Sequence, residues 1–304
     1  MNLFMPVYYR LEKEVVSLTN SIMFNDEQMK VYSLAIGDII IRCAVEAEAI
    51  SKELYIRTGG NPEPVDPNTG RKRDLYFDTE CIQRLVDRWS IDKKRLTITH
   101  PNMYFSAEKS ILFPLRNANK RGKSSSPWER AYQAVKHNRA QNIHLAAVEN
   151  MMNALGALYI LNLYYADEKF WFETPMEQRR QYTASSEIFT PALCDTTKVS
   201  INMNTDYAGI QALSDPSLEK SIFILKHTDK AYQDMQKSMC KLKIRADMKL
   251  KRSYNLDNIS QALTADYAEL LKKDAWVMRE AVSGLASQEV ILNKNSEVYS
   301  MFFV

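Results

Sequence analysis

The sequence predicts a mainly α fold: a helical bundle over residues 1–172, followed by a smaller C-terminal α+β region over residues 173–304. Three observations lead there. Two long segments, about 26–57 and 143–171, repeat apolar side chains at the spacing of a helix face. Only 8 glycines and 10 prolines among 304 residues argue against a turn-dense all-β chain. Beyond Glu173 the helical period gives way to polar stretches broken by short apolar runs. Aromatic residues, at 10%, supply ample core material and argue against large-scale disorder.

The first long helix is expected from about Asp26 to Arg57. Asn25 is placed to cap it, and Asp26 and Glu27 suit its first turn. Val31, Leu34, Ile39, Val45, Ala49 and Leu54 recur at helical spacing, and Gly59-Gly60 ends the run. Asp38, Arg42 and Glu46 stand at i, i+4 and i+8 and form one polar stripe. The stripe reads either as a surface ion-pair ladder or as a polar face supporting a nearby site.

Residues 60–75, GNPEPVDPNTGRKRDL, are a turn-rich loop. A helix follows from about Thr79 to Trp89, then a short extended piece at Leu96, Ile98 and Thr99. Residues 114–127 form a basic, serine-rich loop. Ser126 and Pro127 then supply a cap and a first-turn proline, so a helix is expected to start near Pro127. The second long helix runs from about Ile143 to Trp171. In it, Gly156 between Ala154 and Ala157 leaves a small-residue surface for close packing. Two long helices with two shorter ones suggest an up-and-down bundle.

Further along, Ile188-Phe189, Val199 to Ile201 and Ile222 to Leu225 carry strand signals. Helices are expected over 229–252 and 256–273, and a terminal hairpin joins Val290-Ile291-Leu292 to Val298-Tyr299.

The net charge is +3, which by itself implies no polyanionic partner. Its distribution says more. Eight Lys or Arg residues lie between Lys109 and Arg139, with Glu129 the one opposing charge. Such a segment is either a solvated loop or a surface that holds polyanions by counterion release. A second basic run lies at residues 241–252 and reads as a solvated face or an extension of that surface. Cys43, Cys81, Cys194 and Cys240 are widely spaced without a C-x-x-C pair, so buried thiols and a reducing, cytoplasmic setting are expected. The N-terminus lacks the pattern of a signal peptide. The longest uncharged stretch, 150–166, contains three asparagines and reads as a buried core or dimer helix rather than a membrane span.

Phosphate-binding glycine loops and nucleophile elbows are absent, and the four histidines show no metal-ligand spacing with the cysteines. No cofactor or metal is implied. What remains is WERAYQAVKHNR, residues 128–139. On a helix, Trp128, Tyr132 and Val135 share an apolar face. Gln133, Lys136 and His137 share an adjoining one, and Arg130 points to a similar side as His137, two turns later. An imidazole beside guanidinium and ammonium groups suits a phosphate: the cations hold its oxygens and the histidine moves a proton near neutral pH. Neighbouring cations favour the neutral ring, as a general base requires. The competing reading is a histidine that only serves the last carbonyls of its helix.

The segment resembles the signature of HEPN domains, a family of small α-helical nucleotide-binding proteins. Their hallmark is an arginine, four to six residues, then a histidine. Arg130-A-Y-Q-A-V-K-His137 matches the six-residue form, with Tyr132 before Val135-Lys136-His137 and Arg139 beyond. The apolar helix that follows and the segment AVEAEAISKELY, residues 44–55, also resemble the family, over roughly residues 10–172. The family often places Asn, Asp or His directly after the arginine. Here Ala131 stands there, with Gln133 and Asn138 as the polar residues nearby.

The resemblance implies a HEPN-like helical bundle and a metal-independent endoribonuclease of phage defence or a toxin–antitoxin system. RNA is then the partner, two copies form a composite site, and an antitoxin or defence protein is a further partner. Arg130 and His137 are the implied catalytic pair. Lys136, Arg139, Gln133, Asn138, Trp128 and Tyr132 are the implied contacts to phosphate or RNA, the two aromatics as stacking surfaces or as core. Asp38, Arg42 and Glu46 are the supporting polar face. The alternative is a non-catalytic RNA-binding or assembly module of the same fold. A third reading is a scaffold that uses the bundle face near Gly156.

Overall fold

The computed structural model describes residues 3–167, 170–172, 186–195, 199–202, 209–212, 218–230 and 288–294. Among these, helices dominate and strands are short. The first helix, α1 (Phe4–Leu18), leads through a two-residue strand, β1 (Phe24–Asn25), to α2 (Leu34–Arg57). The long helix therefore begins at Leu34, not at Asp26. Local capping explains the difference. Asn25 Oδ1 accepts from the Gln28 amide over a separate 3-10 turn, Glu27–Lys30, and Val31 is extended. The Ser33 hydroxyl then accepts from the Ile36 amide and starts α2 afresh. At the other end Gly59 takes a φ of +82°, which glycine adopts without strain.

The rotation of α2 also differs from the periodicity. Ile36, Ile39, Ile40, Cys43, Ala47, Ile50 and Leu54 face the core, whereas Leu34, Val45 and Ala49 face solvent. Apolar residues surround much of this helix, so hydrophobicity alone left its rotation undetermined. Two polar side chains of the stripe instead mark the outer side, as Asp38 and Arg42 each reach to a neighbouring element.

A π turn, Phe77–Ile82, runs into α3 (Gln83–Trp89), close to the expected helix. The strands β2 (Leu96–Ile98), β3 (Met103–Tyr104) and β4 (Ile111–Leu112) follow, then α4 (Pro127–His137) and a single turn, α5 (Arg139–Asn142). The last long helix, α6 (Val148–Ala166), is shorter than expected at both ends. A separate 3-10 turn, Ile143–Leu145, precedes it, and Asp167 ends it with a left-handed φ of +50°. Trp171 belongs to a strand, β5 (Phe170–Phe172), instead.

Buried residues run along all sides of α6, so it is the central core helix. It packs mainly against α2, with α1 and α4 alongside. Tyr8 of α1 stacks on Tyr159, ring centroids 4.9 Å apart, and Trp89 of α3 stacks on Tyr164 at 5.0 Å. Gly156 is buried too. A Cβ there would stand 2.9 Å from Pro114 Cγ, so its small surface receives the Pro114 loop rather than another helix or protein. The scaffold reading that used this face is thereby corrected. No described helix is long and apolar enough to cross a membrane.

The remaining strands are β6 (Phe189–Pro191), β7 (Leu193–Asp195), β8 (Val199–Asn202), β9 (Gly209–Ala212), β10 (Phe223–His227) and β11 (Gln288–Leu292). β6 pairs antiparallel with β2, which also pairs with β4. A four-stranded sheet runs β5-β11-β10-β7, β8 pairs with β9, and β1 pairs in parallel with β3. Main-chain hydrogen bonds thus join residues on both sides of position 172. Glu12, 3% exposed, adds a cross-link by accepting from the Ser186 hydroxyl and the amides of Glu187 and Ile188. Val290–Leu292 is a strand as expected, but it pairs with β10 and β5. Its expected partner at 298–299 and the helices over 256–273 and nearly all of 229–252 lie outside the described residues, as does Cys240. Cys43, Cys81 and Cys194 are buried thiols.

Candidate functional site

The site begins with the sequence Ser126-Pro127-Trp128-Glu129. The Ser126 hydroxyl accepts from the Glu129 amide, and the Glu129 carboxylate accepts from the Ser126 amide at 3.1 Å. This capping box, with proline in the first turn, starts α4 where the sequence indicates. The core side of α4 carries Trp128, Ala131, Tyr132 and Val135, all buried. Arg130, Gln133 and His137 lie on the opposite, exposed side.

Trp128 is 2% exposed and Tyr132 3%. Trp128 Nε1 donates to the Pro114 carbonyl at 2.8 Å, and its ring meets Phe77 edge-on. Both aromatics are therefore core residues, the second of the two roles expected for them, and the expected base-stacking role is corrected. Ala131 also faces the core, so the position after the arginine has no access to a ligand on the exposed side.

Arg130 and His137 are brought to the same side. Seven residues make nearly two turns, which separates them by about 10 Å along the helix. The Arg130 guanidinium donates to the Lys123 carbonyl at 2.5 Å, which fixes its direction. It lines a cleft of about 530 Å³ with Lys30, Lys109, Glu108, Glu149 and Asn153. His137, the last residue of α4, does not line this cleft.

The other predicted contacts are partly engaged elsewhere. Lys136 Nζ donates to the Tyr132 hydroxyl at 3.1 Å and stands 5.1 Å from that ring; the hydrogen bond raises its pKa. Arg139 Nη2 lies 3.1 Å from Asp38 Oδ1. Asn138 caps α5: its Oδ1 accepts from the Gln141 amide and its Nδ2 donates to the Gln141 side chain at 2.8 Å. Gln133 stays exposed beside Arg130 and His137.

The polar stripe of α2 divides. Asp38 reaches the site through Arg139. Arg42 turns away to Glu14 of α1, and the pair lowers the pKa of Glu14. Glu46 is half-buried. The ion pairs therefore run between elements rather than as a ladder along one helix. The basic segment is partly neutralised in the same way: Arg121 is held by Asp78 at 2.7 Å and Arg139 by Asp38. The basic run at 241–252 lies outside the described residues.

Two features escaped the sequence reading. Glu129, counted there as an opposing charge, is 8% exposed, and burial pushes its carboxyl up to about 8 against the Ser126 hydrogen bonds. The S-x-x-E spacing of Ser126 and Glu129 is a signal for the capping box, but it carries no information on burial. Lys30 joins Arg130 in the cleft from a distant part of the chain, and no local pattern announces it. Among the described residues, no three His, Cys, Asp or Glu side chains are grouped to hold a metal ion.

No family model, no curated protein and no solved structure matches this chain.

Proposed function

We propose that this chain is a HEPN-like, metal-independent endoribonuclease that cuts RNA by attack of a ribose 2′-OH on the adjacent phosphodiester. The observation that carries the reading is the shared solvent-facing side of Arg130 and His137 on α4, with the core side of the same helix filled by Trp128, Tyr132 and Val135.

His137 takes the proton of the 2′-OH, whose oxygen bonds to phosphorus. Arg130 neutralises charge on the non-bridging oxygens, with Lys136 or Arg139 beside it. The leaving 5′-oxygen takes a proton, giving a cyclic 2′,3′-phosphate and a 5′-hydroxyl end. One imidazole does not serve as base and acid in one step, so a second copy supplies the acid at a composite site of a homodimer. The required 2′-OH discriminates RNA from DNA. The family resemblance would set this activity in the cytoplasm, in phage defence or a toxin–antitoxin pair with a protein partner.

A second reading is a non-catalytic RNA-binding or assembly module. Two observations favour it: Ala131 points into the core, and Arg139 is held by Asp38. RNA cleavage in EDTA separates the readings. Cleavage by the wild type that disappears in His137→Ala supports the enzyme. Salt-sensitive binding without cleavage supports the module. Arg130→Ala is expected to abolish cleavage with little change in Tm, because its side chain is exposed. A large fall in Tm would make Arg130 structural.

A further inference from the structure

We propose that the cleft beside Arg130 is a backbone-phosphate subsite, which holds an RNA phosphate next to the one at His137. The inference rests on the RNA reading above and names where the strand runs.

Three cations reach this cleft from separate parts of the fold. Lys30 comes from the turn before α2, Lys109 from the loop before β4, and Arg130 from α4. Two carboxylates, Glu108 and Glu149, oppose them, so the lining keeps a net charge of +1. Lys30 is paired with Glu149, yet its side chain is 79% exposed, and a pair so open to water is weak and exchangeable. Lys109 is exposed and belongs to none of the ion pairs among the described residues.

Arg130 is the fixed member. One N–H is spent on the Lys123 carbonyl, which orients the guanidinium and leaves further donors of its planar fork for a ligand. The volume, about 530 Å³, admits a phosphate with its sugar. The spacing also fits. Arg130 and His137 are separated by about 10 Å of helical rise, a span that a few nucleotides of a single strand cover. A strand on the exposed side of α4 would thus put the reacting phosphate between His137 and Arg130 and a neighbour deeper in the cleft, against Lys30 and Lys109, with Arg130 at the boundary of the two.

The test uses the full chain and an eight-nucleotide RNA methylated at every 2′-oxygen, so that binding is measured without cleavage. Lys109→Ala and Lys30→Ala are expected to weaken binding of different sequences to the same extent. Each lost phosphate contact lowers the slope of log affinity against log salt by about 0.7. Lys120→Ala, in the same basic segment but away from the cleft, leaves the slope unchanged. Unmodified RNA is cut by both cleft variants with a raised KM and an unchanged kcat.

Slopes equal to the wild type in both cleft variants overturn the subsite, even if the wild type cleaves RNA. Lowered slopes together with no cleavage by the wild type keep the subsite and remove the nuclease. A wild type that binds no RNA overturns both.

Discussion

Asp38 Oδ1 and Arg139 Nη2 stand 3.1 Å apart, an ion pair that ties α2 to the residue just beyond His137. Among the described residues, it is the ion pair by which the polar stripe of α2 reaches the proposed site. It also engages a cation that lies in the expected signature, in competition with any RNA.

Asp38→Asn should therefore free Arg139. Both side chains are about half exposed, 53% and 44%, so the pair contributes at most about 1 kcal/mol to stability. RNA affinity at low salt should rise while Tm stays within a degree or two. A fall in RNA affinity would show that Asp38 orients Arg139 rather than competing for it.

Trp128 should behave as a core residue. Trp128→Ala is expected to destabilise the chain by about 3–5 kcal/mol through the cavity it leaves. Trp128→Phe keeps most of the packing but strands the buried Pro114 carbonyl, at about 1–2 kcal/mol. Denaturant unfolding measures both. RNA affinity of folded Trp128→Phe should equal that of the wild type; a tenfold loss would restore the stacking role.

Glu129 sets a pH dependence of stability. Its folded pKa, about 8, lies above the ordinary 4.5, so between these values the folded chain keeps a proton that the unfolded chain has released. Its contribution is complete below pH 4.5 and declines as the pH rises to about 8. Glu129→Gln retains a cap acceptor and removes the titration. The variant should match the wild type near pH 4.5 and exceed it by about 1–3 kcal/mol at pH 9, measured by urea unfolding. A wild-type stability that rises from pH 5 to 8, or an unchanged profile in the variant, would count against a buried neutral carboxyl.

Gly156→Ala tests how tightly α6 meets the loop above it. The added methyl would stand 2.9 Å from Pro114 Cγ and 3.2 Å from Leu96 Cδ1. Alanine is the better helix former by about 1 kcal/mol, but the overlap with a proline ring should outweigh it, for a net loss of about 1–2 kcal/mol. A higher Tm in the variant would mean that the Pro114 loop yields easily.

The start of α4 was legible because its determinants are local: a capping serine followed by a first-turn proline, to which the structure adds Glu129 as the other half of a capping box. The short strands at Leu96–Ile98 and Phe223–His227 were legible for a similar reason, as brief apolar runs between polar neighbours. The beginning of α2 was not. Asn25 and Ser33 both offer caps, and periodicity alone does not choose between one long helix and a turn followed by a helix.

By itself the sequence determined that helices dominate, that α4 starts at Pro127, and that Arg130 and His137 share one side of it, since spacing along a helix obliges this. Only the tertiary structure decided what surrounds that side. It buried Trp128 and Tyr132, engaged Arg139 with Asp38, and brought Lys30 to Arg130, because burial and ion pairing depend on contacts between segments far apart in the chain.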